Sequence, residues 1–183
     1  MRVNKKLLWL VPLALAGCKK NTVEVENATV EEVAAKVKEA GVLNNTALRP
    51  GQWQATIKLQ NISAPGVPPE MEQQMRKGIG RAKTMTECLT EEMAKKPFER
   101  FVQGYDKSCR YNRFAMGAGK IDTKITCANN GLQREMTMQG SYTPETYDLL
   151  MDSNALGGGK VKRVNMTMSL QARRTGDCAK TQG

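Results

Sequence analysis

Between Trp53 and Ala172 the sequence alternates apolar and polar residues with a period of two, and no arrangement but a half-buried antiparallel sheet uses such a pattern repeatedly. Trp53, Ala55, Ile57 and Leu59 alternate with Gln52, Gln54, Thr56, Lys58 and Gln60. Further strands are predicted over 81–89, 108–116 and 121–128. Three more runs follow: Leu132, Arg134, Met136, Met138 and Tyr142; Tyr147, Leu149 and Met151; and Val164, Met166, Met168, Leu170 and Ala172. The connections are short and glycine-rich, at Gly117-Ala118-Gly119, Asn129-Asn130-Gly131, Pro144 and Gly157-Gly158-Gly159. The expected fold class is therefore mainly β: an antiparallel meander curled into a barrel or half-barrel, with one or two short helices.

Cysteine placement narrows this further. The chain has five cysteines, and the first, Cys18, closes an apolar run. The other four, at 88, 109, 127 and 178, are an even set, as expected of disulfides in an oxidising compartment. Cys109 and Cys127 lie nine residues either side of Ala118, so a hairpin centred there places them face to face. That pairing leaves Cys88 for Cys178, a bridge closing a long loop and contributing about 4 kcal/mol by chain entropy. No CxxC spacing suggests a redox or zinc motif.

The N-terminus reads as a lipoprotein leader. Arg2, Lys5 and Lys6 precede an apolar run from Leu7 to Ala16, too short to span a bilayer. Leu15-Ala16-Gly17-Cys18 resembles a lipobox, which makes Cys18 the lipidated first residue of the mature chain. The expected division is a signal peptide at 1–17, a lipidated N-terminus and tether with a short helix at 18–49, and a β domain at 50–183. By resemblance to other lipoproteins, Lys19 and Lys20 point to the outer membrane, with the domain facing the periplasm. Losing the leader's three positive groups lowers the formal net charge from +10 to +7. The basic cluster of Lys160, Lys162, Arg163, Arg173 and Arg174 lacks interleaved aromatics, so it reads as a solvated face and not a nucleic-acid site.

Helix signals are few. Thr29 and Glu32 make a capping box for a helix carrying Val30, Val33, Ala34 and Val37 up to Gly41, expected to pack loosely on the domain or to space it from the membrane. A second helix, over 70–77, puts Met71 and Met75 on one face and is a candidate cover for the concave side of the sheet. Thr90 caps a helical turn that Pro97 ends.

Several landmarks occur in a particular order: Pro50-Gly51-Gln52-Trp53, Ala64-Pro65-Gly66-Val67-Pro68, Glu87-Cys88-Leu89-Thr90, Cys109, Cys127, Gly140-Ser141-Tyr142 and Gly176-Asp177-Cys178. Together they resemble the domain-of-unknown-function 3617 family of exported proteobacterial proteins, over about 50–178. Arg173-Arg174-Thr175 departs from the apolar or aromatic residues the resemblance implies before the final Gly-Asp-Cys. The resemblance implies an exported fold and supplies no activity, substrate or catalytic residue.

Chemistry-bearing residues are sparse. The chain contains no histidine, which removes Ser/His/Asp and Cys/His catalysis and His-ligated metals. Gly117-Ala118-Gly119-Lys120 and Gly157-Gly158-Gly159-Lys160 lack the spacing of a phosphate loop and read as hairpin turns. Asp148, Asp152 and Asn154 share the polar phase of one strand and read as solvation. Met136, Met138, Met166 and Met168 occupy core-phase positions, where thioethers fill irregular gaps. A Met-lined interior with Trp53 as its anchor suits an apolar ligand. The expected function is thus a non-enzymatic binding module on an outer-membrane lipoprotein, with no cofactor or metal, whose partners are the membrane and an apolar small molecule or another envelope protein. The alternatives are a structural or protein-partner envelope lipoprotein and, through the same methionines, a Cu(I)-binding protein.

Overall fold

The computed structural model describes residues 22–43, 48–80, 82–94, 105, 107–129, 131–156 and 163–179. Cys18, the Gly157–Gly159 turn, Lys160, Lys162 and Pro97 lie outside them. The described residues form eight strands and three helices: β1 (Thr22–Thr29), α1 (Val30–Ala40), β2 (Gly51–Ser63), α2 (Pro69–Ile79), β3 (Lys83–Leu89), α3 (Glu91–Ala94), β4 (Cys109–Gly117), β5 (Lys120–Asn129), β6 (Leu132–Tyr142), β7 (Thr146–Leu156) and β8 (Val164–Gly176). All eight strands form one antiparallel sheet in the order β1-β4-β5-β6-β7-β8-β2-β3. The sheet is not closed into a barrel: among the described residues β1 and β3 are its two edges.

The predicted meander is present from β4 to β8. Gly117 pairs with Lys120 across Ala118 and Gly119, whose φ values of 50° and 73° make the two-residue turn that matches strand twist. Cys109 and Cys127 are register partners and are bonded to each other, and Cys88 is bonded to Cys178, as the spacing predicted. The second bridge ties edge strand β3 to the chain just beyond β8, across the start of β2.

Of the three register shifts among the described strands, two rephase the alternation within a strand. In β4 the register shifts between Tyr111 and Arg113, so Cys109, Tyr111, Phe114 and Met116 all face inward despite the break in parity. In β2 the shift between Leu59 and Asn61 returns Ile62 to the inner face, where it is 1 % exposed.

The two predicted helices exchange roles. The segment 22–40, expected as a tether, is built into the domain: β1 pairs along β4, and α1 follows directly from it. The capping box is present, with Thr29 Oγ1 accepting from Glu32 N at 3.1 Å and Thr29 N donating to Glu32 Oε2 at 2.7 Å. Val30, Val33 and Val37 are buried in one cluster with Tyr111, Phe114, Ile121 and Ile125. By contrast α2 does not cover the sheet; Met71 is 54 % exposed and no side chain described in that helix is buried. The difference lies in composition: α1 presents β-branched apolar residues at helical spacing, whereas α2 carries Glu70, Glu72, Arg76 and Lys77 around its two methionines.

Candidate functional site

The inner face of the sheet carries two clusters of buried residues. The larger lies under α1; the smaller comprises Trp53, Ala55, Leu89, Ala94 and Ala172. Tyr147 and Leu170 pack against both, and a cavity of about 280 Å³ opens at the seam. Its floor is the sheet: Trp53 from β2, Met138 from β6, Tyr147, Leu149 and Met151 from β7, and Leu170 from β8. The rest of its wall includes Glu87 and Leu89 of β3, Met93 and Ala94 at α3, Leu48 and Tyr105. This volume is roughly twice the ~150 Å³ apolar cavity that stays dry and takes benzene, and it approaches the lower range of small-molecule pockets.

Trp53 is fixed from several directions. Its indole Nε1 donates to the Arg49 carbonyl at 2.9 Å, and its ring stacks on Tyr147 with centroids 5.7 Å apart. Arg49 itself is docked on the β6–β7 turn, its amide donating to Pro144 O at 2.7 Å and its guanidinium pairing with Glu145 at 2.7 Å. Gly51, at φ 140°, lies beneath Arg174; an added Cβ there would overlap both the Gly176 carbonyl and the Arg174 side chain. Arg174 is therefore not on a solvated face, as its place in the basic cluster suggested. It donates to Pro50 O at 2.7 Å, pairs with Asp177, and lies mostly buried where the family resemblance implied an apolar or aromatic residue.

Two tyrosines near this interior have phenols held above their ordinary range. Burial raises Tyr105, partly offset by the positive charge of Arg134. Burial also raises Tyr111, reinforced by Tyr105.

Of the residues read from the sequence as ligand-binding, Trp53 and Met138 line the cavity. Met136, Met166 and Met168 are half-buried on the same inner face but outside the lining. Register puts Met138, Met151 and Met168 side by side on β6, β7 and β8, while Ser153 separates Met136 from Met166. Met151, Tyr147, Leu149 and Leu170 were legible as inward residues, not as one wall. Leu48, Glu87, Met93 and Tyr105 were not legible, since their places depend on pairings with no local signal. A Trp53-to-Glu87 register partnership would have revealed one of them.

The carboxylates of β5 and β7 lie on the outer face, where neighbouring strands engage them. Asp148 accepts from Gln171 at 3.1 Å, Asp152 from Thr167 at 2.6 Å, and Asp122 pairs with Arg113 at 2.5 Å. No helix among the described residues is long and apolar enough to cross a membrane.

Three of the landmark stretches meet at this site. Pro50-Gly51-Gln52-Trp53 forms the Arg174 crossing and the aromatic floor, Glu87 and Leu89 form a wall, and Cys88 and Cys178 clamp the same end of the sheet. No curated protein matches this chain, and neither does any solved structure. The family model described as "Protein of unknown function (DUF3617)" matches residues 48–178, the span that builds the cavity and both disulfides, and the chain belongs to that family.

Proposed function

We propose that this protein is a periplasmic lipoprotein, anchored to the outer membrane through Cys18, that acts as a non-enzymatic binding module for an apolar ligand. The observation that carries this reading is the seam cavity, whose described lining is aliphatic, thioether and aromatic with Glu87 as its carboxylate. Such a wall gains from displacing water by hydrocarbon, about 25 cal/mol per Å² of apolar surface covered. Methionine side chains add adaptability, since an unbranched thioether can repack around occupants of different shape. The lipobox-like Leu15-Ala16-Gly17-Cys18 and the paired cysteines support the compartment.

The test is native mass spectrometry on the mature chain carrying Cys18→Ser, exported to the periplasm and purified without detergent. The expected result is a polypeptide short by four hydrogens, from two disulfides, with extra mass that organic extraction releases. In Leu170→Phe, which fills the cavity from its floor, that extra mass is expected to disappear while the far-ultraviolet spectrum is retained. A bare polypeptide overturns ligand carriage, and extra mass equal to copper replaces it with the methionine-site alternative.

A further inference from the structure

The register of β1 fixes which end of the sheet faces the anchor. Thr22 pairs with Gly117, and the same row continues through Lys120, Ser141 and Asp148 to Gln171 and Thr56. On β7 that row passes between Tyr147 and Leu149, both of which line the cavity. The chain thus enters the sheet at its cavity end, together with the Ala118-Gly119 turn, the 143–145 turn and the Cys88–Cys178 bridge.

Resting on the lipid-anchored reading above, we infer that the cavity end of the domain is held against the bilayer and that the occupant is an acyl chain of a membrane lipid, taken up directly from that bilayer. Two lengths decide the orientation. Four residue steps separate Cys18 from Thr22, so that connection reaches no more than about 15 Å. The eight residues of β1 alone run about 27 Å from the cavity end toward the opposite end. A leash shorter than the strand it feeds cannot bring the opposite end of the sheet to the membrane. The thirty-residue spacer expected from the sequence would have allowed any orientation; building 22–40 into the sheet and core removes that freedom. Lys120, exposed at the turn on this end, adds a positive charge that suits anionic headgroups.

The mature chain supplies its own probe, because Trp9 leaves with the leader and Trp53, in the cavity floor, remains as its tryptophan. The acylated protein is reconstituted into phosphatidylcholine–phosphatidylglycerol vesicles whose acyl chains are either unlabelled or brominated. Expected is at least a twofold loss of Trp53 emission in the brominated vesicles. Inserting about twenty Gly/Ser residues between Asn21 and Thr22, which lengthens the connection roughly sixfold along its contour, is expected to return most of that emission, with an unchanged urea midpoint showing that the fold is intact. Unquenched Trp53 in acylated protein overturns this inference and leaves the anchor reading standing. Equal quenching with and without the insertion overturns the tether-set orientation. An unacylated Cys18 by mass overturns the anchor reading and this orientation with it.

Discussion

Trp53 and Tyr147 stack across the floor of the cavity with ring planes 21° apart, although 94 residues separate them in sequence. The pair joins the small cluster around Leu89 and Ala94 to the large one under α1, since Tyr147 packs against both. Trp53→Ala is expected to cost about 3–5 kcal/mol. Trp53→Phe keeps a stacking ring and loses the bond to Arg49 O, at about 1 kcal/mol. Urea midpoints measure both, and equal losses for the two variants would show that the ring contributes nothing beyond its hydrogen bond.

Gly51 is constrained twice, by its φ of 140° and by the Gly176 carbonyl and Arg174 lying over it. Gly51→Ala is expected to destabilise by about 2 kcal/mol or more. Adding Arg174→Ala removes one overlap but neither the carbonyl nor the backbone strain. The double variant is therefore expected to stay well below the Arg174→Ala single variant in thermal unfolding.

The two disulfides close loops of very different size, with sequence separations of 18 and 90. Chain entropy assigns about 3 kcal/mol to Cys109–Cys127 and about 4 kcal/mol to Cys88–Cys178. Replacing each pair by serine and comparing urea midpoints is expected to show the larger loss for the 88–178 pair. The reverse order would mean that burial of Cys109, 6 % exposed, outweighs loop closure.

Helix α1 is a structural member of the domain. Val33, 0 % exposed, is expected to lose about 2 kcal/mol as alanine and to abolish folding as aspartate, which would place an unpaired charge in the core. Its capping box also gives an acid-side signature. The backbone hydrogen bond from Thr29 holds the Glu32 carboxyl below its usual range, so its stabilisation is present above the ordinary glutamate pKa and fades as pH falls through the lowered value. Glu32→Gln is expected to flatten that acidic part of a stability–pH profile.

Alkali acts in the opposite sense. Burial raises the Tyr105 and Tyr111 phenols, so above the ordinary tyrosine pKa of about 10 the unfolded chain releases protons that the native one keeps. Their contribution is complete below about pH 10 and is lost as pH rises through the raised values. Phenolate absorbance of Tyr105 and Tyr111 is expected to appear together with loss of tertiary structure. Replacing Tyr111 by Phe is expected to shift the alkaline unfolding midpoint upward.

How much of this was legible follows from where each signal resides. The β4–β5 hairpin could be read directly, because Ala118-Gly119 and the symmetric cysteines are local to it. The capping box of α1 was legible for the same reason, with donor and acceptor three residues apart. The destination of that helix was not: Val33 and Val37 announce an apolar stripe without naming the Phe114 and Ile125 side that receives it. Similarly, the bulges at Asn112 and Gln60 break the period of two in a way that only pairing with β5 and β8 explains.

By itself the sequence determined the strand content, the inward and outward faces of the meander and the pairing of its cysteines, since alternation and turn chemistry act over a few residues. Tertiary structure alone decided that the sheet stays open, that β1 and α1 complete the domain, and that Trp53, Glu87, Tyr147 and Leu170 share one cavity. Those outcomes depend on joining β2 to β8 across more than a hundred residues, where burial of a common apolar face, and no local preference, selects the partner.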